Sequence, residues 1–133
     1  MNYLVSKRIP NAEAFLEHCE RITMKSKSVV FRQGELSQDF YVILEGSVSV
    51  IVDDVEDSEQ EMVVSYLNPG EFFGEMGLFG EETRTANLVT RTPCVFAKIS
   101  YEDFHAIRQR YPDVLYALTS QIGQRLKNTT RKL

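Results

Sequence analysis

The sequence predicts a mainly-β domain, a Greek-key barrel or jelly roll, with a short helix before the strands and a long helix after them. Three observations carry this. Short β-branched and aromatic runs succeed one another from Ser28 to Ile99, each too short for a helix. The breaks between them have turn chemistry: Gln33-Gly34, Glu45-Gly46, Asn68-Pro69-Gly70 and Thr92-Pro93. After Ser100 the apolar spacing changes from a period of two to that of a helix.

The elements follow in order. Asn11 is a cap for a first helix, Ala12 to Glu20, with Phe15, Leu16 and Cys19 on one face packed against the sheet that follows. Ser28 to Phe31 and Phe40 to Leu44 are strands. Ser47 to Val52 alternates, which turns Val48, Val50 and Val52 inward and Ser47, Ser49 and Ile51 outward. Asp53 to Glu61 carries six acids, no basic residue and no glycine, so it reads as a solvated hairpin tip and not a calcium loop. Met62 to Leu67, Thr85 to Thr90 and Cys94 to Ile99 complete the strands. Ser100 caps a helix through Phe104 and Ile107, with Asp103 as the acidic partner three residues on. Tyr111-Pro112 breaks it, and Pro112 suits the first turn of a second helix running to the end. On that helix Leu115, Ile122, Leu126 and Leu133 are spaced seven, four and seven apart, with Leu118 or Thr119 between and Thr129 in the remaining slot. This is a heptad seam, and it predicts a paired helix and hence a homodimer. The organisation expected is residues 1–110 as the barrel with its flanking helices and residues 111–133 as the dimerisation helix of the same domain.

Size and composition bound the function. The 133 residues suit one domain, and 43% apolar with 26% charged residues is an ordinary globular balance. No apolar run approaches the length of a bilayer span, and the first residues lack an export signal, so a cytoplasmic protein with no membrane role is expected. Cys19 and Cys94 read as small buried hydrophobes rather than a disulfide framework. A net charge of −4 argues against nucleic-acid binding over the main surface. Arg125, Lys127, Arg131 and Lys132 form a basic helix end, which matches the helix dipole.

The chemistry concentrates in Gly70 to Ala86. Gly70, Gly74 and Gly77 let a ligand approach the backbone closely. A short helical turn at Met76 to Phe79 would present free amides as an anion nest. Arg84 supplies a permanent, forked cation and Thr85 a hydroxyl, the groups that hold a phosphate. Glu75 is repulsive in such a pocket unless it accepts from a neutral donor, and a ribose hydroxyl is one.

This segment resembles the phosphate-binding cassette of the cyclic AMP receptor protein (catabolite activator protein) family. That motif, Gly-Glu-x-Gly-Leu-Phe followed by Arg-Ser/Thr-Ala, stands here as Gly74-Glu75-Met76-Gly77-Leu78-Phe79 and Arg84-Thr85-Ala86. His18-Cys19, Lys25 to Ser28, Gln33-Gly34-Glu35, Leu44 to Val48, Ser65 to Asn68, Ile99-Ser100-Tyr101 and Arg125-Leu126 extend the resemblance over nearly the whole chain. It implies a double-stranded β-helix, or jelly-roll, barrel that binds cyclic AMP as a ligand and performs no catalysis. It implies that Glu75 meets the ribose 2′-hydroxyl and that Arg84 and Thr85 meet the cyclic phosphate, with Gly74 and Ser65 close by. It places Thr129 at adenine, Thr130 at adenine from the second subunit, and Arg125 near the nucleotide. DNA contact is implied only through a helix-turn-helix domain that this sequence lacks. The ending at Leu133, mid-helix and without a glycine stop, favours a ligand-binding fragment of a bacterial transcription regulator over a stand-alone sensor. The alternatives are a sensor of cyclic GMP or cyclic di-GMP, or a cupin-type barrel enzyme. The enzyme needs a metal cluster, and His18 and His105, the only histidines, fall on predicted helices outside the barrel.

Overall fold

The computed structural model describes residue 9 and residues 12–53, 61–74 and 83–131; of residues 128–131 it describes the backbone. Helix α1 spans Ala12–Leu16. The strands are β1 (Glu20–Met24), β2 (Val29–Phe31), β3 (Phe40–Glu45), β4 (Val48–Asp53), β5 (Glu61–Leu67), β6 (Phe72–Phe73), β7 (Asn87–Thr90) and β8 (Cys94–Ile99). Helix α2 (Tyr101–Ile107), a 3-10 turn at Arg108–Arg110 and helix α3 (Pro112–Arg131) follow.

The strands form two antiparallel four-stranded sheets, ordered β1-β8-β3-β6 and β2-β7-β4-β5. Apart from β4 and β5, which pair with each other, successive strands fall in opposite sheets as the chain winds, which is the jelly-roll arrangement. Two apolar clusters hold it together. One lies between the sheets and holds Phe31, Tyr41, Ile43, Val48, Leu67, Phe73, Leu88, Cys94 and Phe96. The other lies between the outer face of the first sheet and the helices, and includes Phe15, Phe40, Val42, Phe72, Ile99, Phe104, Val114 and Leu118. Strand β3 therefore alternates between two cores: Tyr41 and Ile43 enter one, Phe40 and Val42 the other. A strand covered on both faces reads as an unbroken apolar run, and Phe40 to Leu44 is one. Phe104 meets Phe40 edge-on at 4.8 Å and Phe15 at 6.1 Å, so α1, α2 and the sheet share one aromatic contact.

Three expectations need correction, and one strand is new. The first helix ends at Leu16, not Glu20; Glu20 opens β1, which pairs with β8 from Glu20↔Lys98 to Met24↔Cys94. Residues 17–19 instead form a turn, with the His18 amide donating to Phe15 O and the Cys19 amide to Leu16 O, both at 3.0 Å, and only Glu20 passes into the strand. Strand β6 was not expected, because two residues carry no periodicity. The inward alternation of β4 holds for Val48, which is buried, and Val50, which packs on the inter-sheet core; a register shift between Val50 and Ile51 then ends it, and Val52 is only half-buried. The apolar positions of α3 divide between two faces. Leu118 is buried and Ile122 packs against the helix-side core, with Val114 and Ala117, whereas Leu115 is 38% exposed and Leu126 67%. Leu133 and the acidic tip at 54–60 lie outside the described residues.

The cap on α2 is as expected: the Asp103 amide donates to Ser100 Oγ at 3.1 Å. Ser100→Ala is expected to cost about 1 kcal/mol in urea denaturation. Both cysteines are free, Cys94 buried and Cys19 half-buried. Burial pushes the Cys19 thiol up to about 12 from an ordinary 9.0. At pH 8 native Cys19 should therefore alkylate about 1,000-fold more slowly than in the urea-unfolded chain, read by iodoacetamide labelling and mass spectrometry. The unfolded thiol ionises first as pH rises, so this group's contribution to stability is full below pH 9 and declines above it.

Candidate functional site

The geometry is built around Arg84. The segment Thr83 to Ala86 runs beside the turn after β2, held by Gly34 N–H donating to Arg84 O and Arg84 N–H donating to Glu35 O, both at 2.8 Å. These bonds fix the Arg84 backbone and send its side chain inward, where it is only 6% exposed. Its guanidinium donates to Asp39 O at 2.6 Å, to Ser37 Oγ at 3.1 Å and to Gly74 O at 3.3 Å. Its Cζ lies 4.3 Å from the centroid of the Phe31 ring. One buried cation thus ties together the start of β3, the turn after β2 and the residue that closes β6.

Gly74 makes this possible. Its φ is +79°, a conformation that suits glycine. A Cβ there would stand 2.8 Å from Arg84 Nη1 and 2.9 Å from Asp39 O. The side chain of Asp39 pairs with Lys98 at 3.4 Å. Tyr41 lies in the same neighbourhood, and burial raises its hydroxyl above the ordinary tyrosine range while Lys98 and Arg84 pull it back.

Helix α3 reaches the site's approach from the other side. Gln121 Oε1 accepts from the Phe72 amide at 2.9 Å, and Gln121 Nε2 donates to Gly70 O at 2.8 Å. One turn on, Arg125 donates to Phe72 O. Two residues at i and i+4 therefore clasp the strand that leads into Gly74.

The structure brings Gly74 and Arg84 into contact and seats Arg125 two residues before Gly74 in the chain. Thr85 is exposed beside Arg84. Ser65 is exposed on β5, an edge strand, opposite Val50. Thr129 and Thr130 belong to α3, and their side chains are not described. Glu75 and the rest of the segment to residue 82 lie outside the described residues. Sequence reasoning missed Phe31, Ser37, Asp39 and Gln121. Asp39 acts through its carbonyl, which no residue type announces; Gln121 is an ordinary polar helix residue until its partner is known.

Of the two histidines, His105 is on α2, while His18 lies in the turn after α1, 2.8 Å from the Tyr111 hydroxyl. Among the described residues no group of three His, Cys, Asp or Glu is placed to hold a metal ion. No helix among them is long and apolar enough to cross a membrane.

Residues 21–111 match the family model for the cyclic nucleotide-binding domain. The chain belongs to the cyclic nucleotide-binding domain family. It is 43% identical over 125 residues to the cAMP-activated global transcriptional regulator CRP of Salmonella typhimurium, covering 93% of this chain and 59% of that one. This cyclic nucleotide-binding chain thus spans about three-fifths of the length of the curated relatives it matches. Among solved structures, the catabolite activator protein of Thermus thermophilus superposes with a TM-score of 0.80 at 27% identity, covering 98% of this chain and 59% of that one. The c-di-GMP responsive global regulator CLP of Xanthomonas campestris superposes with a TM-score of 0.79 at 38% identity, covering 98% and 62%. The resemblance read from the cassette is thereby established, as is the jelly-roll fold. The family is one of nucleotide-binding sensors and not of enzymes, which sets the cupin-type enzyme aside.

Proposed function

We propose that this chain is the cyclic AMP-binding sensor of a bacterial transcription regulator. The observation that carries the reading is the buried Arg84 guanidinium bonded beside Gly74, at the end of a strand clasped by α3. A phosphate arriving at Gly74 would compete with Ser37 Oγ and Gly74 O for donors already aimed by Asp39 O. Thr85 adds a hydroxyl at the exposed rim, and Glu75 is assigned the ribose 2′-hydroxyl. Ser65 is assigned to the same pocket, and Arg125, Thr129 and Thr130 close it from the helix, Thr130 across to a second chain.

Residues 1–110 act as the binding unit and 111–133 as the dimerisation helix. Support for the homodimer comes from Leu115 and Leu126, 38% and 67% exposed and eleven residues apart, which puts them on one face of α3. Ligand binding shifts the balance between two arrangements of the paired helices by its different affinity for each. The protein works in the cytoplasm, and DNA is met through a helix-turn-helix domain of the full-length regulator.

A second reading, cyclic di-GMP as ligand, is favoured by the likeness to a regulator described as c-di-GMP responsive at 38% identity. Calorimetry with cyclic AMP, cyclic GMP and cyclic di-GMP separates these. Cyclic AMP is expected to bind at micromolar concentration and more tightly than the other two. Preference for cyclic di-GMP replaces the first reading with the second, and binding of none removes both. Sedimentation is expected to show a dimer that Leu126→Asp converts to monomer; a wild-type monomer at high concentration rejects the helix pairing.

A further inference from the structure

Arg84 is a cation with little water around it, and the ring beneath it is as well shielded: Phe31 is 7% exposed. The Arg84 Cζ stands 4.3 Å from the Phe31 centroid, well inside the range of a cation–π contact. The guanidinium is planar and all its N–H donors point outward within that plane. A guanidinium laid face-on against a ring keeps its edge donors for oxygen acceptors. The bonds to Asp39 O, Ser37 Oγ and Gly74 O use the edge. In a face-on contact the two sets of interactions do not compete, and an oxygen ligand could replace Ser37 or Gly74 without disturbing the ring contact.

Phe31 is itself held firmly. It packs at 6.3 Å from Tyr41 and 6.0 Å from Phe73, which stack on each other at 4.7 Å and 8°. Phe73 meets Phe96 edge-on at 5.3 Å. The Phe31 backbone pairs with Leu88, four residues after Arg84. A neighbouring bulge between Val29 and Phe31 shifts the register of β2. The platform is thus anchored in the inter-sheet core and continues directly into the strand that Arg84 precedes.

We propose that Phe31 is a positioning residue that holds the Arg84 guanidinium through its ring face, keeping the edge donors aimed at the ligand's phosphate. The inference rests on the nucleotide reading of the site for its ligand, though not for its geometry. Its test varies the ring's electrostatics at nearly constant shape. Phe31 is replaced by 4-fluoro-, 3,5-difluoro- and 3,4,5-trifluorophenylalanine, which weaken the negative face stepwise. Cyclic AMP affinity is read by calorimetry and folding by thermal melting. The dissociation constant is expected to rise with each added fluorine, reaching about tenfold with three, while the melting temperature stays near that of wild type. Phe31→Leu is expected to weaken binding at least as much. A purely structural ring would make Phe31→Leu weak and leave the fluorinated series within twofold of wild type; that result overturns the proposal.

An arm without nucleotide separates this failure from that of the functional reading. The Arg84 side-chain protons in the ligand-free protein are expected to resonate upfield through the Phe31 ring current, and to return to ordinary positions in Phe31→Leu. If wild type binds no cyclic nucleotide, the functional reading falls. Unshifted Arg84 protons in the wild type would overturn the ring contact itself.

Discussion

Gly74→Ala is expected to weaken cyclic AMP binding at least about tenfold and to destabilise the fold by roughly 2–4 kcal/mol, because one added carbon meets two obstacles at once. The first is the backbone: φ at Gly74 is +79°, where a Cβ is strained whatever space surrounds it. The second is contact, since that carbon would stand 2.8 Å from Arg84 Nη1 and 2.9 Å from the Asp39 carbonyl. The carbonyl belongs to the chain entering β3 and gives little, so the guanidinium must move. Moving it breaks its alignment to Asp39 O, a bond of 2.6 Å. Gly34→Ala isolates the first effect. Its φ is +91°, yet nothing lies within 4 Å of the added carbon. That variant keeps the N–H that donates to Arg84 O, and it should lose about 1–2 kcal/mol of stability and much less affinity than Gly74→Ala. Arg84→Leu marks the other limit: the edge donors are gone, and affinity is expected to fall roughly 100-fold. The measurements are calorimetric dissociation constants and urea denaturation on the same preparations. Equal binding by Gly74→Ala and Gly34→Ala would detach Gly74 from the site.

How far the sequence carried this site depends on what each residue type announces. Arg84 was legible because a cation among glycines, with a threonine beside it, has few other uses. Gly74 was legible for the same reason, although its crowding by the Asp39 carbonyl was not. The β3 run was legible as a strand, and its double burial follows from having no polar alternation in Phe40-Tyr41-Val42-Ile43. Strand β1 was hidden. Glu20, Arg21 and Thr23 are exposed and only Ile22 and Met24 are half-buried, so its apolar signal is two residues long. Phe31 could not be read as Arg84's support. That contact depends on β2 and β7 pairing across more than 50 residues of chain, and no local pattern records a long-range pairing. The heptad spacing on α3 showed that the helix has more apolar positions than one face needs. Which of them meet the barrel, Leu118 and Ile122, was decided by tertiary packing.

The clasp at Gln121 gives the second large effect. Gln121→Met keeps length and volume but removes both an acceptor and a donor. The Phe72 amide, on a fully buried residue, and the Gly70 carbonyl would each lose their bond at 2.9 and 2.8 Å. A buried backbone group left unmade costs about 1–3 kcal/mol, so the pair should cost roughly 2–5 kcal/mol in urea denaturation. The loss is expected to be larger than for a helix surface substitution because it is paid on the sheet side. Strand β6 has only two residues, with Tyr41↔Phe73 and Val42↔Phe72 as its pairing to β3, and the clasp supplies the bond that its other edge lacks. Gln121→Glu dissects the two halves. Its carboxylate still accepts from the Phe72 amide but faces the Gly70 carbonyl oxygen without a proton to donate. At neutral pH it should therefore be less stable than wild type, and it should recover part of the difference on acidification as the carboxyl takes up a proton and can donate again. Amide hydrogen exchange reads the same event locally: the Phe72 amide should exchange at least about tenfold faster in Gln121→Met than in Gln121→Glu. Equal rates in the two variants would mean that the Gln121 acceptor does not hold the Phe72 amide, leaving β6 to its pairing with β3 and to the Arg125 bond at Phe72 O.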